Sequence, residues 1–228
     1  MASIIAEGSK RSKKIMAYEI IKEDIVCNKI RPGTLLVERQ ICEALNTSRT
    51  PVREAIQRLV NENLVEFVPG MGAFVSNITY NDIIEIYDIR AMLEGLAAER
   101  CTMHIRPAER ELMDENLFLL QEAVRQNDYD AFIEQDIKFH QTIVNCARNE
   151  RLRRLAGNYM DQARRITYLI RDDEERIRLS LEHHTLIFNA IKANDPQKAF
   201  ESMKTHLLNS RDYHMENLST YKDLAKTL

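Results

Sequence analysis

No stretch of about 18 consecutive apolar residues occurs anywhere in the sequence, so no membrane-spanning helix is expected. A secretory leader is not expected either. The start, MASIIAEGSKRSKK, places its short apolar stretch before its basic residues, the reverse of a signal peptide. Both absences point to a cytoplasmic protein. Cysteine is sparse: Cys27, Cys42, Cys101 and Cys146 include no closely spaced pair, which excludes a zinc knuckle or a CxxC redox motif and leaves reduced, partly buried thiols. Glycine (6) and proline (5) are also few, which suits helix. Disorder and fibrous architectures are excluded by ordinary proportions of hydrophobic (44%) and charged (29%) residues.

The length, 228 residues, exceeds one average domain. The net charge of −3 is unevenly spread: residues 1–78 carry +2 and residues 79–228 carry −5. That asymmetry is small, so the placement of the arginines matters more than their number.

Residues 13–28 hold Ile15, Tyr18, Ile21 and Ile25 at helical spacing. Pro32-Gly33 forms a turn, Leu35-Leu36 a very short strand, and a helix follows from about Glu38 to Leu45. After the break at Asn46-Thr47-Ser48 a new helix begins, with Ser48 or Thr50 as a side-chain cap and Pro51 in its first turn, and runs to about Asn61. Val52, Ile56, Leu59 and Val60 form its buried stripe, which leaves Arg49, Arg53, Gln57 and Arg58 toward the other side. From Leu64 the period becomes alternating, around a Pro69-Gly70-Met71-Gly72 loop, and predicts a β-hairpin. Helix, short strand, helix, turn, helix and hairpin make a winged helix-turn-helix over residues 1–78. Residues 79–228 read as six helices with brief polar joins, an antiparallel all-α bundle. The fold class is therefore mainly α.

A sequence-reading protein needs cations for phosphates and fork-shaped donors for base edges. Arg49 and Arg53 lie one turn apart at the start of the second helix of the helix-turn-helix, where the major groove is met and arginine pairs with guanine. Thr50 adds a hydroxyl and a backbone N–H suited to a phosphate, and Arg39 can clamp the flanking backbone. The plain alternative is a solvated face with i,i+4 partners such as Glu54. Gly70 and Gly72 serve either as turn glycines or as the point where the wing backbone comes close to DNA.

In the second region Asp136 and His140 share a helix face one turn apart. His184 stands ahead of Ile187 and Ile191, and His206 beside Met203 and Leu207, each in an otherwise apolar register. Converging in a bundle, one Asp and three His suit zinc, nickel or another first-row metal. Separately, each histidine reads as a hydrogen-bonded core residue.

The run Pro32-Gly33-x-x-Leu36-x-Glu38-Arg39-x-Ile41, then Ser48-Arg49-Thr50-Pro51-Val52-Arg53-Glu54-Ala55-Ile56-x-Arg58-Leu59, then Leu64-Val65 to Gly72-x-Phe74-Val75 resembles the DNA-binding domain of the GntR family of regulators. One departure is Glu62-Asn63 where that family has Glu-Gly, which asparagine tolerates in a left-handed conformation. The second region resembles the FCD domain of the FadR-type branch. The matching pieces are Ile89-Arg90-x-x-Leu93-Glu94-x-x-Ala97-Ala98, Asp136-x-x-x-His140, His184-x-x-Ile187-x-x-Ala190-Ile191 and Met203-x-x-His206-Leu207. Together the resemblance spans about residues 13–218.

The resemblance implies DNA contacts at Arg39, Arg49, Thr50, Arg53 and Gly72, palindromic operator sites and hence a homodimer. It implies a divalent metal, zinc or nickel, on Asp136, His140, His184 and His206, with His184 preferred to His183 on the family spacing. His104 and His214 are left as surface residues. It further implies a small carboxylate or sugar-acid effector, with Arg90 facing its carboxylate and Arg164 and Arg165 as weaker candidates; an intrahelical pair of Arg90 with Glu94 is the alternative. The expected protein is no enzyme and has no catalytic residues. It is a regulator, taken as a repressor, whose effector alters operator affinity. Two other readings stand beside this one: a metalloenzyme using the Asp/His set, and a dimerisation module with a purely structural metal.

Overall fold

The computed structural model describes residues 15–170 and 174–225. The chain divides into two compact units, Met1–Thr79 and Tyr80–Leu228.

In the first unit α1 covers residues 15–26, followed by α2 (Glu38–Ala44) and α3 (Arg49–Asn61). The start of the expected first helix, Lys13 and Lys14, lies outside the described residues. Ile21 and Ile25 of α1, Val52, Ile56 and Leu59 of α3, and Leu64, Val65 and Val75 of the ribbon form one core. The ribbon is β1 (Val65–Val68) antiparallel to β2 (Gly72–Val75), with Val65 opposite Val75 and Val68 opposite Gly72. Leu35 bridges to Phe74, and the Leu36 N–H donates to the Ala73 carbonyl at 2.8 Å, so the short expected strand ties α2 to the wing. Ser48 occupies the N-cap of α3 with extended backbone, but its side chain makes no capping hydrogen bond, and Thr50 already lies inside the helix. The side-chain cap read from these residues is therefore corrected: the extended Ser48 backbone alone sets the helix entry.

A chain with few glycines must still end its helices. Asn28, Asn46, Asn63, Asn127 and Asn194 take positive φ after α1, α2, α3 and two later helices, because a short polar side chain carries the left-handed conformation at least cost after glycine. Asn63 (φ 59) closes α3 with Asn63 N–H to Val60 O at 3.1 Å and Leu64 N–H to Leu59 O at 3.0 Å. The Glu62-Asn63 departure is thus accommodated as read. Replacing Asn63 by Gly is expected to leave urea-unfolding stability within about 0.5 kcal/mol, and Asn63→Val to lower it by about 1–2 kcal/mol. A valine variant as stable as the native chain would refute this account of the helix end.

The second unit contains α4 (Tyr80–His104), α5 (Pro107–Gln126), α6 (Tyr129–Cys146), α7 (Glu150–Leu169), α8 (Glu174–Lys192) and α9 (Pro196–Ala225). Asp128 caps α6 by accepting from the Ala131 N–H at 2.9 Å, and Asn149 caps α7 by accepting from Leu152 at 3.1 Å. The last helix runs past the expected end at Leu218. The central helix is α4, which packs on α6, α7, α8 and α9. Its Gly95 meets the Phe200 ring so closely that a Cβ there would stand 3.0 Å from it. Packed on four neighbours, α4 buries Arg90 and Glu94 on its inner face as well as Ile83, Ala91 and Ala98. No helix among the described residues is long and apolar enough to cross a membrane.

A candidate metal centre and a candidate DNA-reading face

Three helices bring four polar residues to one point in the second unit. On α6, Asp136 and His140 are one turn apart. The buried face of α8, Ile177-Ser180-His184-Ile187-Ile191, and that of α9, Met203-His206-Leu207-Ser210, each interrupt an apolar stripe with a histidine. One ligand atom from each of Asp136, His140, His184 and His206 lies within 4.8 Å of all the others. The Nε2 atoms of His184 and His206 stand 3.4 and 3.3 Å from that of His140, and His184 Nε2 stands 3.2 Å from Asp136 Oδ1.

These three spacings match the about 3.3 Å that ligand bonds of 2.0–2.1 Å in tetrahedral array put between neighbouring donors, while Asp136 Oδ1 stands wider, 4.0 Å from His140 Nε2. The protonation states fit as well. Burial holds His184 below the ordinary imidazole range and His206 further below it, keeping both neutral as ligands must be. Burial alone would raise the Asp136 carboxyl, but its contact with His184 and the nearby Arg90 guanidinium hold it well below the usual range.

α4 supplies the support. Glu94 is fully buried, 2.6 Å from His140 Nδ1 and 2.6 Å from Arg90 Nε. Burial pushes its carboxyl up, but Arg90 and His140 outweigh that and bring it down to about 2. With the ionised Glu94 carboxylate accepting a hydrogen bond from the Nδ1–H, the His140 Nε2 lone pair faces the cluster. Arg90 therefore makes the intrahelical pair with Glu94 and also lines the cavity beside Asp136 and His140. His183 is half-buried and its Nε2 lies 3.5 Å from the Asn209 amide. His104 is exposed, but His214 is 2% exposed and lines the cavity, which corrects its reading as a surface residue. It lies eight residues beyond His206, two helical turns along the same face of α9, and that spacing was the overlooked signal. Arg164 lines a neighbouring cavity that shares Arg90, Asp136 and His140. Arg165 is buried, and burial lowers its guanidinium to about 10. Glu94, Arg176, Ser180 and Ser210 also went unassigned from sequence; an Arg/Glu pair on an otherwise buried helix face was the available clue.

In the first unit Arg39, Arg49, Thr50 and Arg53 are all exposed. Arg49 is the first residue of α3, one turn ahead of Arg53. The partner of Arg53 is Glu38, at the start of α2, whose two carboxylate oxygens lie 2.8 and 2.9 Å from Nε. Arg39 faces Glu43 at 3.6 Å. Arg58 is held elsewhere: it donates to Glu62 at 3.0 Å and stacks 3.6 Å from the Tyr18 ring. Gly72 has φ 117, a conformation that leaves the wing turn to glycine.

Over residues 13–75 the chain matches the family described as bacterial regulatory proteins, gntR family, and over residues 85–209 it matches the FCD domain. It belongs to the GntR family. With an FCD domain attached, this GntR regulator is similar to the HTH-type transcriptional repressor RspR of Escherichia coli K12, 29% identical over 190 residues and 83% of each chain. It is also similar to the gluconate operon transcriptional repressor of Bacillus subtilis 168, 30% identical over 194 residues, 82% of this chain and 79% of that one. Among solved structures, a GntR regulator from Rhodococcus sp. RHA1 matches with 27% identity and a TM-score of 0.76, over 90% of this chain and 98% of that one. GntR proteins are transcriptional regulators that bind operator DNA, and this one is not an enzyme. The metalloenzyme reading of the Asp/His cluster is thereby set aside.

Proposed function

We propose that this GntR regulator is a metabolite-responsive repressor, acting as a homodimer on a palindromic operator and modulated by a small organic acid bound at a metal centre. The observation that carries the reading is the convergence of Asp136, His140, His184 and His206 inside the FCD domain. Asp136, His140, His184 and His206 would hold zinc or nickel, and such an ion supplies a Lewis-acidic point for a carboxylate. Arg90, at the cavity wall, pairs with that carboxylate through its planar fork, while Glu94 keeps His140 oriented. The names of two relatives support repression, and that of the gluconate operon repressor supports a sugar acid as effector class.

Arg39, Arg49, Thr50, Arg53 and Gly72 contact DNA in this reading. Residues 1–78 form the DNA-binding domain, and residues 79–228 the metal and effector domain. Support for the homodimer comes from α4, where Ile89, Met92, Leu96 and Met103 remain exposed at helical spacing, an apolar stripe suited to a second copy.

Linkage supplies the test. If the acid alters operator affinity, operator must alter the affinity for the acid by the same factor, typically about 5- to 150-fold. Calorimetric titration of D-gluconate into metal-loaded protein with and without operator duplex is expected to give two different affinities. Identical values would remove the modulation.

A further inference from the structure

Two of the cysteines that stand far apart in the sequence meet in the fold. Cys101 on α4 and Cys146, the last residue of α6, are 45 residues apart, yet the packing of α4 on α6 makes their side chains hydrogen-bond partners. Both thiols are reduced, and they are 0% and 2% exposed. Cys101 donates to the Cys146 sulfur, and Cys146 in turn bonds to the Glu109 carboxylate. Glu109 is held by two further partners: it accepts from the Arg106 N–H at 3.0 Å at the start of α5, and it pairs with Arg148. Arg148 takes φ 52 after α6, the position that asparagine fills after five other helices, and its side chain reaches solvent. Beside it Arg100 Nε donates to the Ala147 carbonyl at 3.2 Å, which fixes the end of α6 against α4. A line of contacts therefore runs from one buried thiol through a second thiol and a carboxylate to a guanidinium at the surface. The hydrogen bond from Cys101 draws the Cys146 thiol below its ordinary value, while that bond and burial push Cys101 up. Cys146 thus ionises first, and Cys101 keeps its proton until the sulfur beside it has become an electrophile.

We propose that Cys101 and Cys146 form a redox site of the helical domain, oxidised by hydrogen peroxide to a disulfide that joins α4 to α6 and restored by a dithiol reductant. The Cys146 sulfur attacks one peroxide oxygen; the S–O bond forms as the O–O bond breaks, and the departing hydroxide takes the thiol proton through Glu109 and leaves as water. The Cys101 sulfur then attacks that of Cys146; the S–S bond forms, the S–O bond breaks, and the second hydroxide leaves as water with the Cys101 proton. Each sulfur loses one electron and the peroxide gains both. Thiols this covered admit only a small oxidant, and its entry lies past the Glu109 and Arg148 side chains, which are 22% and 37% exposed. The disulfide would stand two turns beyond Glu94 on α4 and join the same two helices as the bond from Glu94 to His140. The inference is independent of the metal and effector readings.

The test is peptide mapping of the full-length wild-type protein after brief treatment with hydrogen peroxide, with the remaining thiols alkylated under denaturing conditions. A peptide joining Cys101 to Cys146 is expected, from a monomeric band in a non-reducing gel, and dithiothreitol should abolish it. Because the bond closes a loop of 45 residues, the oxidised protein should melt about 5–10 °C above the reduced one. Cys101→Ser removes the second step, so a sulfenic acid that dimedone traps should accumulate at Cys146. Cys146→Ser should yield neither product, and the wild-type map decides the matter should either serine variant fail to fold. Three results overturn the site: both thiols alkylated in full in a sample whose exposed Met71 and Met92 are already oxidised, a bond that runs to Cys27 or Cys42 instead, or a linked protein that melts below the reduced form.

Discussion

Replacing Arg49 by alanine is expected to abolish specific operator binding while leaving the fold and metal content untouched. Arg49 is exposed at the first position of α3, and its guanidinium has no carboxylate partner within the described residues. Truncating it therefore removes little from the folded state, within about 0.5 kcal/mol for a surface residue. At the base edge the loss is larger. A bidentate arginine–guanine contact is worth about 1–3 kcal/mol, so the two half-sites bound by the proposed dimer lose roughly 2–6 kcal/mol. Fluorescence anisotropy with an operator selected from random duplexes, beside a scrambled duplex of equal length, is the direct measurement. The specific complex is expected to weaken toward the scrambled one, with unchanged circular dichroism and metal content. Retained discrimination between the two duplexes would sink the assignment of α3 as the reading helix. Arg53 should behave differently in detail, because Glu38 already holds its guanidinium at 2.8 Å and a DNA acceptor must displace or share that partner.

Loss of the metal is expected to have the largest effect on stability. A ligand that binds only the folded state stabilises it by about 3–4 kcal/mol when present at 100–1,000 times its dissociation constant. For a unit the size of Tyr80–Leu228 this corresponds to a melting temperature lower by roughly 6–15 °C after chelation. His206→Ala should copy the chelated state and retain no stoichiometric metal after dialysis. Glu94→Gln tests the supporting layer: it keeps all four ligands but removes the charge that orients His140 and balances Arg90. A metal affinity lower by about 10- to 100-fold is expected, together with lost stability from the uncompensated Arg90. Elemental analysis and differential scanning calorimetry measure both effects. Full metal content in His206→Ala would mean that the cluster is not the binding site.

The central place of α4 explains why its polar pair matters. A buried arginine and a buried carboxylate each carry a large desolvation cost, and here the cost is offset because Glu94 is shared between Arg90 and His140. The same arrangement lets Arg90 border the cavity while its charge is neutralised: the intrahelical pair with Glu94 is formed, and the contact with an effector carboxylate belongs to the proposed function.

What the sequence determined by itself was local. Turn residues, caps and the change from 3.6- to 2-residue periodicity delimit nearly every helix and the hairpin, because these signals act between residues a few positions apart. The string from Ser48 to Leu59 places arginines on one helix face for the same reason, and Asn63 announces its left-handed turn by being asparagine where a glycine is usual. Asp136 and His140 could be paired because one helical turn joins them. Tertiary structure alone decided the rest. His184 and His206 lie on separate helices, and only the packing of α6, α8 and α9 brings their Nε2 atoms within 3.4 Å of that of His140. The bond from Glu94 to His140 crosses from α4 to α6, and the burial of His214 and Arg176 depends on which neighbours cover α8 and α9. Contacts between distant segments are set by how apolar faces fit against one another, and no spacing along a single chain encodes that fit.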